Sequence, residues 1–425
     1  MAKQLPLEGV RVVDFTHIVA GPQCTRILGD LGAQVIKVEH TQAMDVVRSA
    51  GGAGGGIQGE AEPYNRSGMF EYFNRNKLGI NVNVLMPAGL DVIKKLISVS
   101  DVVIENFSSR VLERWGLSYE EQCEVKSDII YASITGFGHI GRYRDYSTWG
   151  PTAQALSGLT YMSGLPGERP AGWGYSFLDH TAGYNAAIAI LMALHHKNRT
   201  GEGQWLDLSQ VESGMVLTGP AVLDYTTNGR PYRREGNPPG NRSNNPKVAP
   251  HNTYRCAGED EIVDGKPRQR WCAISIFHEE EWERFCVAIG SPAWTKDLKF
   301  ATNADRVKNE DELDKLIEEW TSDKMPHEVM YRLQNAGVAA GAVQTNEDKI
   351  VRDPQLRSRE FIQRIQHRSV DEVYETDSLP IKFSETESRI RQGSPPLGAD
   401  ADYILTEILG MTTDEIADLS EQAAF

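Results

Sequence analysis

Over its first 210 residues the chain alternates short β-branched runs with helical stretches, and this alternation leaves few folds open to it. The segments "GVRVVDFT" (9–16), "QVIKVEH" (34–40), "LGINVNV" (78–84), "DVVIENF" (101–107), "DIIYASITGFG" (128–138) and "GQWLDLS" (203–209) read as strands. Between them, "GPQCTRILGDLGA" (21–33), residues 87–98 and "HTAGYNAAIAILMALHH" (180–196) read as helices, and a further helix is predicted over about 209–225. Repeated strand–helix–strand units predict an α/β fold with a parallel sheet covered by helices, and ligands at the carboxyl ends of the strands.

At 425 residues the chain exceeds a single core, which predicts more than one domain. The stretch "YTTNGRPYRREGNPPGNRSNNPKVAPHN" (225–252) is dense in Gly, Pro, Asn and Arg and reads as a linker. It would separate a large domain (1–224) from a smaller α+β domain (253–336), with "WCAISIF" as a strand and helices near 278–289, 309–320 and 325–336. From "GVAAGAVQT" onward, 337–425 reads as a return segment. In the tail, Thr412 and Glu415 are spaced as a capping box.

A formal charge of −15 argues against general binding to nucleic acid or anionic membranes, which requires clustered cations. No run reaches 18 apolar residues and no signal-peptide pattern opens the chain, so a cytoplasmic location is expected. Five cysteines without a CxxC pair predict reduced thiols and no metal site. The "GGAGGG" run (51–56) reads as a surface loop or a flap near the site.

"DFTHIVAGP" (14–22) runs from a strand into a Gly-Pro turn and a helix, but without GxGxxG it disfavours a nicotinamide enzyme. Cations near strand ends, at Lys37, Arg75, Lys77, Arg114, Arg142 and Arg144, are candidates for a local phosphate pocket. Asp179 stands where the helix after "GWGYSFL" begins. It reads either as an N-cap or as a carboxylate kept ionised by the helix terminus and used as a nucleophile. On the second reading Ala182, Gly183 and Ala186 leave room for an acyl group, and Trp149, Trp173, Tyr175 and Phe177 wall an acyl pocket.

"DFTHIVAGP", "LGAQVIKVEH", "FNRNK", "VVIENF…VLERWG", "ASITGFG", "DHTAGYNAAIAILMALHHKNRTGEGQWLDLSQVE" and "DPQLRSREFI" occur in family order, and the chain resembles class III CoA-transferases of the CaiB/BaiF type from about residue 7 to "PLGADADYILTEILG". The resemblance implies a Rossmann-like large domain completed by the C-terminal segment, and two interlocked subunits, identical or related. It also implies that Asp179 is the catalytic residue, which would form a mixed anhydride with the acyl group of a CoA thioester and then an aspartyl-CoA thioester. CoA contacts carry over to His17, Ile18, Val19, Arg75, Lys77, Asn106, Phe107 and Arg114. Substrates would be an acyl-CoA and a carboxylic acid, with no permanently bound cofactor.

Two positions depart from the pattern. His40 stands where some relatives carry an arginine, and "TGF" (135–137) stands where the formyl-CoA branch has Lys and Tyr, which disfavours oxalate and formate. Racemases of the same superfamily need a histidine base, and that position falls at or near Trp149, so transfer is favoured over racemisation. His180 is the close substitute, expected on the opposite face of the turn. The rings flanking Asp179 suggest a bulky or aromatic acceptor such as benzylsuccinate, with succinyl-CoA as donor; carnitine-type and dicarboxylate acceptors stay open. A non-catalytic scaffold subunit and a plain CoA-binding protein are the other readings, and the intact Asp179 weighs against the scaffold.

Overall fold

The computed structural model describes residues 4–49, 63–263, 265–386 and 389–425; the "GGAGGG" run lies outside the described residues. The chain forms two compact units. Residues 1–161, 172–228 and 354–425 make the first, and residues 162–171 and 229–353 make the second.

The first unit is built on six strands, β1 (Arg11–Asp14), β2 (Gln34–Glu39), β3 (Lys77–Asn81), β4 (Val102–Glu105), β5 (Ile130–Thr135) and β6 (Trp205–Ser209). Every pairing is parallel, in the order β3-β2-β1-β4-β5-β6. The expected α/β class with a parallel sheet is thus observed. Its helices begin with α1 (Ala20–Asp30), α2 (Gly68–Asn74), α3 (Pro87–Ser98), α4 (Val111–Arg114) and α5 (Tyr119–Val125). They continue with α6 (Gly150–Leu156), α7 (Leu159–Met162), α8 (Phe177–Thr200), α9 (Gln210–Met215) and α10 (Gly219–Asn228).

Strand alternation sorts the core into two layers, because successive side chains leave opposite faces of a sheet. Val12, Val35, Val102, Ile104 and Ile130 pack with α1 and α8 through Cys24, Leu28, Ala182, Ala186 and Ile190. Val13, Ile36, Ile80 and Val103 face the other way, onto Val92, Ile93 and Leu96 of α3 and the C-terminal Ile404 and Leu405. Helices α1 and α8 come close because Gly183 has no side chain. A Cβ there would meet the Ala20 carbonyl oxygen and Gln23 Cβ, each at 2.8 Å.

That close packing revises one expectation. Ala182 and Ala186 are buried in the core cluster and Gly183 lies against α1, so these small residues serve helix packing and leave no acyl space.

The second unit carries β7 (Ser243–Asn244), β8 (Lys247–Val248), β9 (His251–Val263), β10 (Lys266–Ser275) and β11 (Ala339–Ala342), the last three forming an antiparallel sheet in the order β11-β10-β9. Helices Glu279–Ala288, Glu310–Thr321 and Pro326–Asn335 supply Trp282, Phe285, Leu313, Ile317, Val329 and Leu333 to its core. Because β11 pairs with β10, the chain stays in this unit through Asp353, and the return to the first unit begins at Pro354 rather than at 337. At the other end, α10 runs to Asn228, so the first unit continues past the start of the segment read as a linker.

Candidate active site

The strand order reverses between β1 and β4, and in a doubly wound sheet the crevice at such a reversal is where a ligand sits. A cleft of about 120 Å³ opens there, lined by Ile18, Val19 and Ala20 after β1, Asn106–Ser109 after β4 and Ile134–Gly136 at the end of β5. Arg144, Tyr146, Thr148, Trp149 and Gly150 close one side, and Asp179 and Gln210 complete the lining.

Asn106 ties the two sides of the reversal together. The His17 backbone N–H donates to Asn106 Oδ1 at 2.7 Å, and Asn106 Nδ2 donates back to the His17 carbonyl at 2.9 Å. Ile18 then adopts φ 70°, an uncommon left-handed conformation for a β-branched residue, and its N–H donates to Asp45 Oδ1 at 3.0 Å. The His17 ring meets Phe107 edge-on at 5.2 Å, and burial pushes its pKa down. The β1–α1 connection is therefore held from three sides.

Asp179 is the third residue of α8. The N-cap is Ser176, so the reading of Asp179 as an N-cap does not hold. The chain reaches the helix through Gly174, Tyr175 and Ser176, all with positive φ, in a turn that stacks Tyr175 on His180 at 5.4 Å. Asp179 Oδ1 accepts a hydrogen bond from Gln210 Nε2 at 2.6 Å. Burial raises its pKa above the ordinary value, while hydrogen bonds from Gln210 and Ser176 act in the opposite sense. The helix terminus was expected to favour ionisation; burial works against it here, and a poorly solvated carboxylate is the more reactive nucleophile.

Of the residues singled out as contacts, Ile18, Val19, Asn106, Phe107, Trp149 and Asp179 meet at this cleft, and His17 lies directly behind it. Arg75 and Lys77 do not line it. Arg75 is fully buried, with Nη2 2.7 Å from Asp30 Oδ2 and a further bond to the Asp377 carbonyl. Lys77 donates to Asp14 Oδ2 at 2.9 Å and to Asn74 Oδ1 at 2.8 Å. Both charges are used inside the fold, because a cation this buried needs anionic partners within reach. Lys37 is likewise buried, bonded to the Thr16 carbonyl and Asp45. Arg114 is exposed at the end of α4, away from the lining, and of the cations read as a phosphate pocket only Arg144 lines the cleft.

The acyl wall also differs from expectation. Trp149 lines the cleft, but Trp173, Tyr175 and Phe177 are not among its lining residues: Trp173 packs on Phe177 at 4.7 Å, and Tyr175 on His180. The left-handed turn before α8 couples these rings to one another and to the helix. Sequence reasoning passed over Tyr146, Gly150 and Gln210. The Gly-Pro step at 150–151, which opens α6, was the available signal for Gly150; a glutamine inside "DLSQVE" carried none.

Among the described lining residues Asp179 is the sole carboxylate, and no histidine is present. His180 lies between Tyr175 and Phe73, with its pKa lowered by burial. The site thus offers one desolvated carboxylate, one amide donor bonded to it and one cation at the switch point of a doubly wound sheet, an arrangement suited to nucleophilic attack rather than to two-base proton transfer.

The comparisons agree with this class. Residues 7–401 match CoA-transferase family III, and the chain belongs to that family. It is 31% identical over 412 residues to the succinyl-CoA–D-citramalate CoA-transferase of Chloroflexus aurantiacus, covering 97% of this chain and 96% of the relative. It is 30% identical to the beta subunit of succinyl-CoA–L-malate CoA-transferase from the same organism, with 98% and 97% covered. Among solved structures, a CaiB/BaiF family protein from Brucella suis superposes with a TM-score of 0.82 at 30% identity, covering 95% of this chain and all of that one.

Proposed function

We propose that this family III CoA-transferase moves CoA from succinyl-CoA to a carboxylic acid through covalent intermediates on Asp179. Asp179 Oδ2 attacks the thioester carbonyl and the CoA thiolate leaves, giving a mixed anhydride. The thiolate then attacks the aspartyl carbonyl, releasing succinate and leaving an aspartyl-CoA thioester. The acceptor carboxylate attacks that thioester, expelling the thiolate and forming a second mixed anhydride; the thiolate then attacks the acceptor's acyl carbon, releasing the acceptor as its CoA thioester and Asp179 as a free carboxylate. The observation that carries this reading is a desolvated, amide-bonded carboxylate unaccompanied by a second base in the cleft lining.

In this reading the β1–α1 connection at His17–Val19, together with Asn106 and Phe107, lies along the CoA thioester, and Arg144 meets an anionic group of the ligand. Tyr146 and Trp149 favour a bulky or aromatic acceptor of the benzylsuccinate kind, whereas the relatives' names carry the dicarboxylic acids citramalate and malate. A second subunit, identical or related, would cover α8. That helix has core residues on one side and still exposes Tyr184, Ile188, Leu191 and Met192, and Val216, also exposed, borders it. A cytoplasmic location fits the reading.

The test is to mix the purified protein with succinyl-CoA, trap with hydroxylamine or borohydride, and map the modified peptides by mass spectrometry. Modification of the peptide holding Asp179, absent from Asp179→Ala, is the expected result. Absence of any adduct with several acyl-CoAs would overturn the mechanism in favour of a racemase, a scaffold subunit or a simple CoA-binding protein.

A further inference from the structure

The two oxygens of Asp179 have different surroundings. Oδ1 accepts the Gln210 amide N–H at 2.6 Å, whereas Oδ2 lies beside Gly150, where even a Cβ atom would come within 2.6 Å of it; the Ser176 side chain also hydrogen-bonds the carboxylate. Gln210 is buried and opens α9, and that end of the helix is fastened to the cleft wall. The Val211 N–H donates to the Gly136 carbonyl at 3.0 Å, and Ser209 Oγ donates to the same carbonyl at 3.2 Å. Ser209 also caps α9 by accepting the Glu212 N–H at 3.2 Å. The amide therefore extends from an anchored backbone toward one chosen oxygen.

Resting on the reading of Asp179 as the nucleophile, we infer that Gln210 selects Oδ2 as the attacking atom and then serves as the hydrogen-bond donor to Oδ1 when the aspartyl carbonyl is itself attacked. Once Oδ2 is acylated, Oδ1 is the carbonyl oxygen of Asp179. The CoA thiolate forms a bond to Cγ, and the π pair of the carbonyl moves onto Oδ1. Collapse then breaks the Cγ–Oδ2 bond, and the first carboxylate leaves with that oxygen. Attack of the acceptor carboxylate on the aspartyl-CoA thioester also places negative charge on Oδ1 before the thiolate is expelled. A neutral, fixed N–H facing that atom stabilises both transition states without reorganising.

The experiment uses the full chain with Gln210→Ala and Gln210→Glu, the latter keeping the shape while replacing the donor by an acceptor. On mixing with succinyl-CoA, the rate at which the CoA adduct appears on Asp179 is expected to fall about 10²- to 10³-fold, as for loss of one oxyanion donor, with KM little changed. The acid limb of kcat/KM is expected to move to higher pH, because a bond favouring the ionised carboxylate is lost. Adduct formation within about threefold of wild type and an unmoved acid limb, in whichever variant keeps the wild-type thermal midpoint, would overturn the inference. An active Asp179→Asn would instead overturn the nucleophile reading; an inactive Asp179→Asn beside fully active Gln210 variants would remove only the role of Gln210.

Discussion

Gly150 lies against the Asp179 carboxylate so closely that a methyl group built on it would sit 2.6 Å from Oδ2. This position is the first residue of α6 and precedes Pro151, so an added side chain is disfavoured in the helical conformation as well as crowding the carboxylate. Gly150→Ala is therefore expected to fold with somewhat lower stability while displacing the carboxylate. Since a misplacement of about 1 Å can cost about 10²-fold, kcat should drop by that order while the far-ultraviolet spectrum stays the same. Wild-type turnover in Gly150→Ala would show that Oδ2 is not the reacting atom.

On the proposal that Asp179 is the nucleophile, activity and stability carry opposite signs at this residue. Its pKa is raised in the folded state, so its contribution favours folding below the ordinary value of 3.8 and is lost as pH rises through the folded-state value. At neutral pH the buried charge costs stability, and Asp179→Asn should unfold at a higher temperature than wild type, the gap closing as pH falls. The same variant should lose roughly 10³-fold or more in transfer rate. Thermal melts across pH beside a turnover assay check both; a destabilised Asp179→Asn at pH 7 contradicts the first.

The Asn106 bridge should affect binding more than chemistry. Asn106→Ala removes both hydrogen bonds to the His17 backbone and leaves those groups half-buried, a cost of about 1–3 kcal/mol. KM for the CoA thioester should rise with a smaller change in kcat, since the lost bonds shape the β1–α1 wall of the cleft and neither is made to Asp179. Kinetics and denaturant titration of Asn106→Ala separate the two effects.

Inside the fold, Asp14 and Lys77 form a buried pair at 2.9 Å. Burial works against both charges and lowers Lys77 to about 8, while Lys77, Lys37 and Thr16 bring Asp14 down to about 2. A depressed Asp14 contributes stability above the ordinary 3.8, lost as pH falls toward about 2. Asp14→Ala strands Lys77 and should cost about 3–5 kcal/mol in urea unfolding. A loss below about 1 kcal/mol would mean that Lys77 sheds its proton or finds another partner.

The acceptor is accessible to a direct comparison. With succinyl-CoA as donor, aromatic and aliphatic dicarboxylic acids assayed together should favour the bulkier acids if Tyr146 and Trp149 form the acceptor wall, and Trp149→Ala should erase that preference. A preference for malate- or citramalate-like acids that survives Trp149→Ala would assign the acceptor site to other residues.

Periodicity and turn chemistry alone determined much of this protein. Five of the six strands of the parallel sheet fall within the runs read as strands and β3 begins one residue before its run, the helix expected at 87–98 is α3 (Pro87–Ser98), and the Thr412–Glu415 capping box forms with a 2.7 Å bond from the Thr412 N–H to Glu415. These are local properties, set by side-chain alternation and short-range hydrogen bonds. The proposed nucleophile Asp179 stood out for a related reason: a lone acid at the head of a small-residue helix is conspicuous along the chain. Tertiary packing decided the rest. Lys37, Arg75 and Lys77 look like ligand cations until the fold supplies Asp45, Asp30 and Asp14 as partners. Likewise Gln210 acquires a role only because β6 delivers it, 31 residues after Asp179, to hydrogen-bonding distance of one carboxylate oxygen. Charge type is written in the sequence, but whether a charge faces a ligand or a buried counter-ion depends on residues far away along the chain, and only the folded arrangement fixes those distances.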